Sequence, residues 1–197
     1  MKNMFKAVES YMKQFNYDEK YIAEQCELLL KMCQREEYGK GKTLSAPGSS
    51  NEEFFFIEDG VLRSFLVDEK NREYTRIFEC TGGVIGPYSE YQNGLPSRYN
   101  IETVTRSVVY RFNIATIYKL AEESDFWEYL LAFYIEKSLL TKNQRETELL
   151  INDAFQRYLN FKERFSEYHH LIPQYKMASY LGVTPEGLNR SIKKAAC

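Results

Sequence analysis

Between about Thr43 and Asn113 apolar residues recur at every second position, whereas on either side they recur at every third or fourth. A period of two means strands, so this block must build sheet of its own between helical flanks. Phe54-Phe55-Phe56-Ile57 leads to Asp59-Gly60 and then to Val61-Leu62-Arg63-Ser64-Phe65-Leu66-Val67. An Asp-Gly pair between two such runs predicts a hairpin. Asp68 to Arg72 predicts a second polar turn, and Glu73 to Glu79 a third strand. Gly82-Gly83 marks a turn before Val84-Ile85-Gly86, and Asn93-Gly94 with Pro96-Ser97 forms another break. Ile101 to Phe112 reads as two strands or one long one. Short strands with turns every eight to twelve residues indicate a small antiparallel barrel or sandwich.

Residues 1 to about 38 read as helical, with Tyr21, Ile22, Cys26, Leu29, Leu30 and Cys33 at three- and four-residue steps. From Ile114 the chain is helical again. Ser124 to roughly Leu150 contains neither Gly nor Pro and would reach roughly 40 Å. Phe126 to Leu140 is apolar almost all round, and Thr141 to Glu148 is polar throughout. A helix greasy on every face at one end must bury that end, and a second copy of itself is the economical cover. The alternative is packing within one chain. Asn152 to Glu167 forms one more amphipathic helix.

The last segment, Gln174 to Lys194, reads as two short helices broken at a glycine, the form of a helix-turn-helix. Met177, Ala178 and Leu181 give the first helix a buried stripe, and Gly182 suits its C-terminus. Thr184 can cap the second helix, with Pro185 at its first position and Glu186 near its positive end. Leu188 and Ile192 point back at the first helix. Asn189, Arg190, Lys193 and Lys194 stay free for bases and phosphates. Residues 174–197 carry net +3 in a chain of net −2, leaving −5 in the remainder. An acidic body with a basic tip fits a phosphate-seeking tip. A structural helical hairpin is the competing interpretation.

Composition narrows the classes further. The chain of 197 residues can bury one good core, or a sensing core plus a small appended domain. No apolar run approaches the roughly 20 residues that span a bilayer, and Met1 to Ser10 lacks a signal-peptide core. A cytoplasmic location and no membrane partner are expected. Cys26, Cys33, Cys80 and Cys197 show neither disulfide-framework nor CxxC spacing. His169 and His170 are adjacent in a loop-like stretch before Pro173, away from every carboxylate cluster. No metal site and no catalytic residues are expected. A metal enzyme built on a cupin-type barrel would need histidines inside it, and the strand region contains none.

Three motifs in order carry a resemblance. Tyr38-Gly39-Lys40-Gly41-Lys42-Thr43-Leu44 with Pro47-Gly48, then Phe56-Ile57-Glu58-Asp59-Gly60-Val61-Leu62-Arg63, then Tyr175 to Arg190 with Ala-Ser-Tyr-Leu-Gly-Val-Thr-Pro-Glu inside it span nearly the whole chain. Together they resemble the cyclic-AMP receptor protein / fumarate–nitrate regulator (Crp/Fnr) family of bacterial transcription factors, in its Bacteroidetes-like branch. The resemblance implies an α+β fold: a cyclic-nucleotide-binding-like antiparallel β-barrel (a double-stranded β-helix or jelly roll), a long dimerisation helix and a helix-turn-helix. It divides the chain into an effector domain over 1–123, a dimerisation helix over 124–150 and a DNA-binding domain over 151–197. Because the sequence ends at Cys197, a β-wing after the helix-turn-helix is not expected.

The implied partners are double-stranded DNA, a second copy of the chain, a small-molecule effector and RNA polymerase. Glu186 and Arg190 match base-reading positions of the family. Gln174, Tyr175, Lys176, Thr184, Pro185, Asn189, Lys193 and Lys194 are supporting contacts. Pro185 stands where cyclic-AMP-type relatives carry arginine, so a different operator is implied. Cyclic-nucleotide binders surround the phosphate with a Gly-Glu and an Arg-Ser pair. Here the corresponding stretches are Gly86-Pro87-Tyr88-Ser89-Glu90 and Ser97-Arg98-Tyr99-Asn100. Pro87 removes a backbone N–H, and Arg98 is one residue out of register, which in a strand swaps its face. The expected effector pocket therefore comprises Gly86, Pro87, Tyr88, Ser89, Glu90, Arg98, Tyr99 and Asn100, for an effector other than cyclic AMP. A filled, unused barrel is the alternative. No cofactor is identified: an iron–sulfur sensor needs an N-terminal cysteine cluster that Cys26 and Cys33 do not form, and for haem Cys80 is the sole candidate ligand. A dimeric sensor acting through a protein partner, its DNA-binding head decayed, also remains open.

Overall fold

The computed structural model describes residues 2–195; Cys197, one of the four cysteines named above, lies outside them. Eight strands form two facing four-stranded antiparallel sheets: β1 Gln34–Tyr38, β2 Thr43–Ser45, β3 Glu53–Asp59, β4 Val61–Val67, β5 Glu73–Cys80, β6 Val84–Ile85, β7 Asn100–Thr103 and β8 Ser107–Asn113. One sheet has the order β1-β8-β3-β6 and the other β2-β7-β4-β5, so the chain crosses repeatedly between them as in a jelly roll. Phe55, Ile57, Ile85 and Val109 of the first sheet meet Leu62 and Ile101 of the second in a shared core. The sheets do not close on each other, so the expected barrel is an open sandwich.

The Asp59-Gly60 hairpin is corrected as well. β3 and β4 belong to different sheets, so the pair turns a corner between layers. Gly60 has φ +104°, and a Cβ there would stand 2.4 Å from Ser107 Oγ and 2.7 Å from the Arg106 carbonyl oxygen. The register slips between Ile57 and Asp59, which bends the strand into the corner. The hairpin lies one turn later, at Asp68 to Arg72, where β4 pairs with β5. There the Asp68 carboxylate accepts the N–H groups of Lys70 and Arg72, and Asn71 takes φ +59°.

Strand β1 lies within the stretch expected to be helical. Its polar side chains serve the sheet edge: Arg111 on β8 donates to Gln34 Oε1 at 2.7 Å and pairs with Glu36 at 2.7 Å.

The helices are α1 Lys2–Met12, α2 Glu19–Met32, α3 Tyr88–Gln92, α4 Ile114–Glu123, α5 Asp125–Ile151, α6 Ala154–Arg164, α7 Gln174–Leu181 and α8 Pro185–Ala195. Asp18 and Asn113 cap α2 and α4 by accepting backbone N–H bonds, as short polar side chains do at helix starts. A second core joins Val8, Met12, Ile22 and Cys26 of the N-terminal helices to Phe126, Trp127 and Leu130 of α5. Tyr11 stacks on Phe133 at 3.9 Å and Phe15 on Tyr129 at 4.4 Å. Much of the greasy half of α5 is thus covered by its own chain. The large apolar side chains that α5 leaves in solvent lie further along, at Leu139, Leu140, Leu150 and Ile151. No helix among the described residues is long and apolar enough to cross a membrane.

A third core packs α6, α7 and α8 around Phe161, Phe165, Tyr180 and Leu188, and Phe78 of β5 is part of it. The C-terminal helices are seated directly on the second sheet.

Candidate nucleic-acid interface and effector chamber

Helix α7 ends at Gly182, which takes φ +65° and directs its N–H to the carbonyls of Ala178 and Ser179. Thr184 then caps α8, its Oγ1 accepting the Gly187 N–H at 3.1 Å. Leu188 is fully buried and Ser191 nearly so, while Ile192 is half-buried. The opposite face of α8 presents Pro185, Glu186, Asn189, Arg190, Lys193 and Lys194 to solvent. Glu186 is held below the usual carboxylate range, first by its own backbone N–H and the Thr184 hydroxyl and then by Arg190. The Lys194 ammonium lies 4.2 Å above the Phe155 ring, which steers it along the helix rather than leaving it loose.

On α7, Gln174 and Tyr175 are exposed, but Lys176 is not. Its side chain is 7% exposed and its ammonium pairs with Glu102 of β7. Lys176 is therefore removed from the set of residues free to meet a phosphate. Glu102 also accepts from Arg63 Nε at 2.6 Å, and Arg63, 1% exposed, donates to Thr75 Oγ1 at 2.9 Å and pairs with Glu73. One turn further along α7, Ser179 Oγ accepts the Thr75 N–H at 2.8 Å and donates to the Glu73 carbonyl at 2.7 Å. These bonds satisfy the edge of β5 with a helix instead of a strand.

A chamber of about 330 Å³ lies between the second sheet and α5. Its walls come from β4 (Ser64), β5 (Arg76, Ile77, Glu79), the β6–α3 segment (Val84 to Gly86, Tyr88, Ser89) and α5 (Ser138, Lys142, Arg145, Glu146, Leu149). Of the eight expected pocket residues, Gly86, Tyr88 and Ser89 line it. Pro87 lies between them at the start of α3. The other four turn elsewhere. Glu90 is 1% exposed and its Oε1 accepts from Arg98 Nε at 2.9 Å, while the rest of Arg98 faces solvent. Tyr99 is buried beneath the Arg76 guanidinium at 3.8 Å, and Asn100 pairs with Phe65 in the sheet. Arg98 thus engages one Glu90 oxygen, while Oε2 is buried without a partner and the Glu90 charge acts on Lys142.

Ser64, Arg76, Lys142 and Arg145 did not stand out in the sequence. Lys142 and Arg145 are three apart on α5 and share a face, but that half of the helix reads as solvated polar surface. Burial, then neighbouring Arg76, holds Lys142 below the usual ammonium range, and burial lowers Arg145 in the same way. Burial also pushes the Glu79 carboxyl up to about 7. Among the described residues no three His, Cys, Asp or Glu side chains gather as a metal-binding group; His169 and His170 sit in a 3-10 turn at His169–Leu171.

No family model matches the sequence, and no curated protein does. Solved structures do match. FixK2 from Bradyrhizobium japonicum is 18% identical with a TM-score of 0.73, over 82% of this chain and 83% of that one. The c-di-GMP-responsive global regulator CLP from Xanthomonas campestris is 15% identical with a TM-score of 0.71, over 88% of this chain and 91% of that one. A transcriptional regulator of the Crp/Fnr family from Eubacterium rectale is 12% identical with a TM-score of 0.68, over 87% of this chain and 82% of that one. At these identities the likeness is one of fold, and it covers more than four-fifths of this chain in each case.

Proposed function

From a fold shared with regulators of the Crp/Fnr type, we propose that the chain is a cytoplasmic, homodimeric, DNA-binding transcriptional regulator controlled by a small effector other than cyclic AMP. The supporting observation is the two-sidedness of α8: Leu188 and Ser191 are buried, and every polar residue suited to bases or phosphates is exposed. What an ordinary helical hairpin does not require is the charge of that face, where Arg190, Lys193 and Lys194 gather in a chain of net −2. In this reading residues 1–123 sense, 124–150 pair two copies and 151–197 read DNA. Arg190 and Glu186 address base edges, Asn189, Lys193 and Lys194 support them, and Gln174 and Tyr175 meet the backbone at the start of α7.

Fluorescence anisotropy on a genomic-fragment library, followed by titration of the selected duplex against salt, tests this. Affinity should fall steeply with salt, the log–log slope steepening by about 0.9 for each phosphate neutralised. Arg190→Ala should cost roughly 1–3 kcal/mol on the selected site and relax base preference, whereas Lys193→Ala should weaken all duplexes alike and flatten the slope by about 1. Equal losses for Arg190→Ala on selected and random DNA would remove its assigned role. Absence of any duplex affinity would leave the sensor that acts through a protein partner.

A further inference from the structure

Resting on the homodimeric reading, we infer that pairing of two copies through α5 is proton-linked: the Glu136 side chains of the two copies meet in the seam, and acid favours the paired state. Ala132, Glu136, Leu139, Asn143, Glu146 and Leu150 are all exposed, and they follow one another at steps of four, three, four, three and four. Such steps trace a single line along a helix, the line on which two helices wind about each other. The row runs for roughly 27 Å, on the side of α5 opposite to Trp127 and Leu130, which enter the core. Leu139 and Leu150 are 55% and 79% exposed, so one chain alone leaves the row uncovered.

The chemistry of the row fits a second copy of the chain. A lone amide in such a line, here Asn143, pairs with itself and holds two strands parallel and in register. Parallel pairing about a two-fold axis sets each residue of the row against its own counterpart. Two carboxyls then face each other at Glu136 and two more at Glu146, but the two levels differ. Glu146 has Lys142 one turn back along α5, and Arg76, Lys142 and Arg145 share a chamber wall with it, so cations stand beside its charge. Glu136 has only apolar residues a turn away on its helix, namely Ala132, Phe133, Leu139 and Leu140. Lys137 follows it in the chain but lies about 100° round the helix, where its charge acts on Glu79. From α1, the Tyr11 phenol feels the Glu136 charge, and it is neutral throughout the range in which a carboxyl titrates.

Two carboxylates brought together with no cation between them are costly to ionise at once, so pairing favours a proton shared by the two. The paired state therefore binds a proton that the separated chains do not. By linkage its stability is gained as pH falls and lost as pH rises. The seam at Glu136 thus makes assembly of a two-headed protein conditional on acidity, without a ligand.

Sedimentation equilibrium of the full chain at constant ionic strength, at about pH 8 and about pH 5.5, tests this. The wild type should pair about tenfold or more tightly at the lower pH, the factor that one unit of differential protonation carries. Glu136→Gln keeps the size of the side chain and removes its titration. It should pair equally at both pH values, and more tightly than wild type at the higher one. Glu79→Gln, which removes the other carboxyl that titrates in this range, should keep the wild-type response. Glu136→Cys in oxidised glutathione should cross-link two chains well above the wild-type background, because in-register pairing brings the two Cα atoms within disulfide reach. The proton link is overturned by a dimer of equal strength at both pH values, by a Glu136→Gln protein that keeps the wild-type response, or by a Glu136→Cys protein that does not cross-link. Wild type and Glu136→Gln both monomeric at both pH values would remove the homodimeric reading, and the link with it.

Discussion

At the scale of single residues, Gly182 at the end of α7 and Thr184 at the start of α8 act on their neighbours in the chain. Other residues answer to what lies opposite them. Gly60 signals a hairpin in any local account, yet it is required because Ser107 and Arg106 crowd it from β8 and its approach loop. Lys176 counts toward a basic tip until Glu102, seventy-four positions earlier, neutralises it. Glu79 is a further case, since its strand position says nothing of the desolvation that raises it. The raised carboxyl makes a prediction about pH. A folded-state value near 7, above the ordinary Glu value of about 4.3, means the folded state holds this proton more tightly than the unfolded chain does. Its contribution is fully present below about pH 4 and is lost as pH rises to about 7, by up to about 3 kcal/mol. Urea melts at pH 5 and pH 8 should show that fall, and Glu79→Gln should flatten it. An unchanged pH profile in the variant would assign the effect to other groups.

At the scale of elements, α5 through α8 follow the sequence expectations closely, because long helices without Gly or Pro and well-capped short ones carry their limits in the chain. Strand β1 and helix α3 do not. Gln34-Arg35-Glu36-Glu37-Tyr38 has no apolar alternation to betray a strand, and only its pairing with β8 makes it one. The long helix shows why an element can be foreseen while its packing is not. Its aromatic half was expected to need a second copy, but α1 and α2 provide stacking partners and bury Phe126, Trp127 and Leu130. The case for a dimer moves to the far half. Leu139 and Leu150, like Leu140 and Ile151, are eleven residues apart, so after three turns each pair returns to almost the same face. These four side chains are 55–79% exposed, an apolar stripe that a two-fold partner helix would cover. Replacing Leu140 with Glu should leave the monomer fold intact and dissociate the dimer, read as a halved mass in sedimentation equilibrium. A wild-type protein that is monomeric at tens of micromolar would remove this stripe from the interface.

At the scale of the molecule, the sandwich and the C-terminal helices are joined by a small buried charge cluster. The order of the parts was legible in the sequence; their docking was not, since it depends on pairs of residues from β4, β7 and α7 meeting in space. Glu102 serves two cations at once, Arg63 and Lys176. Arg63 has further partners in Thr75 and Glu73, whereas Lys176 has Glu102 as its carboxylate. The two ends of this pair should therefore respond unequally to substitution. Glu102→Gln strands an ammonium inside the interface, and an unpaired buried charge costs about 3–5 kcal/mol. Lys176→Met removes the charge, keeps the length of the side chain and leaves Glu102 bonded to Arg63, so its cost should be small. Because the charge cluster lies where α7 meets the second sheet, the penalty in Glu102→Gln falls first on that docking, which the Phe78 core also holds, and only then on the interior of the sandwich. Hydrogen exchange should then show lost protection at the Thr75 amide and along α7, with the Ile101 and Val109 amides of the sandwich unchanged, and Lys176→Met should retain the wild-type pattern. Loss of protection throughout the sandwich in Glu102→Gln would mean that the sandwich and the C-terminal helices unfold as one unit.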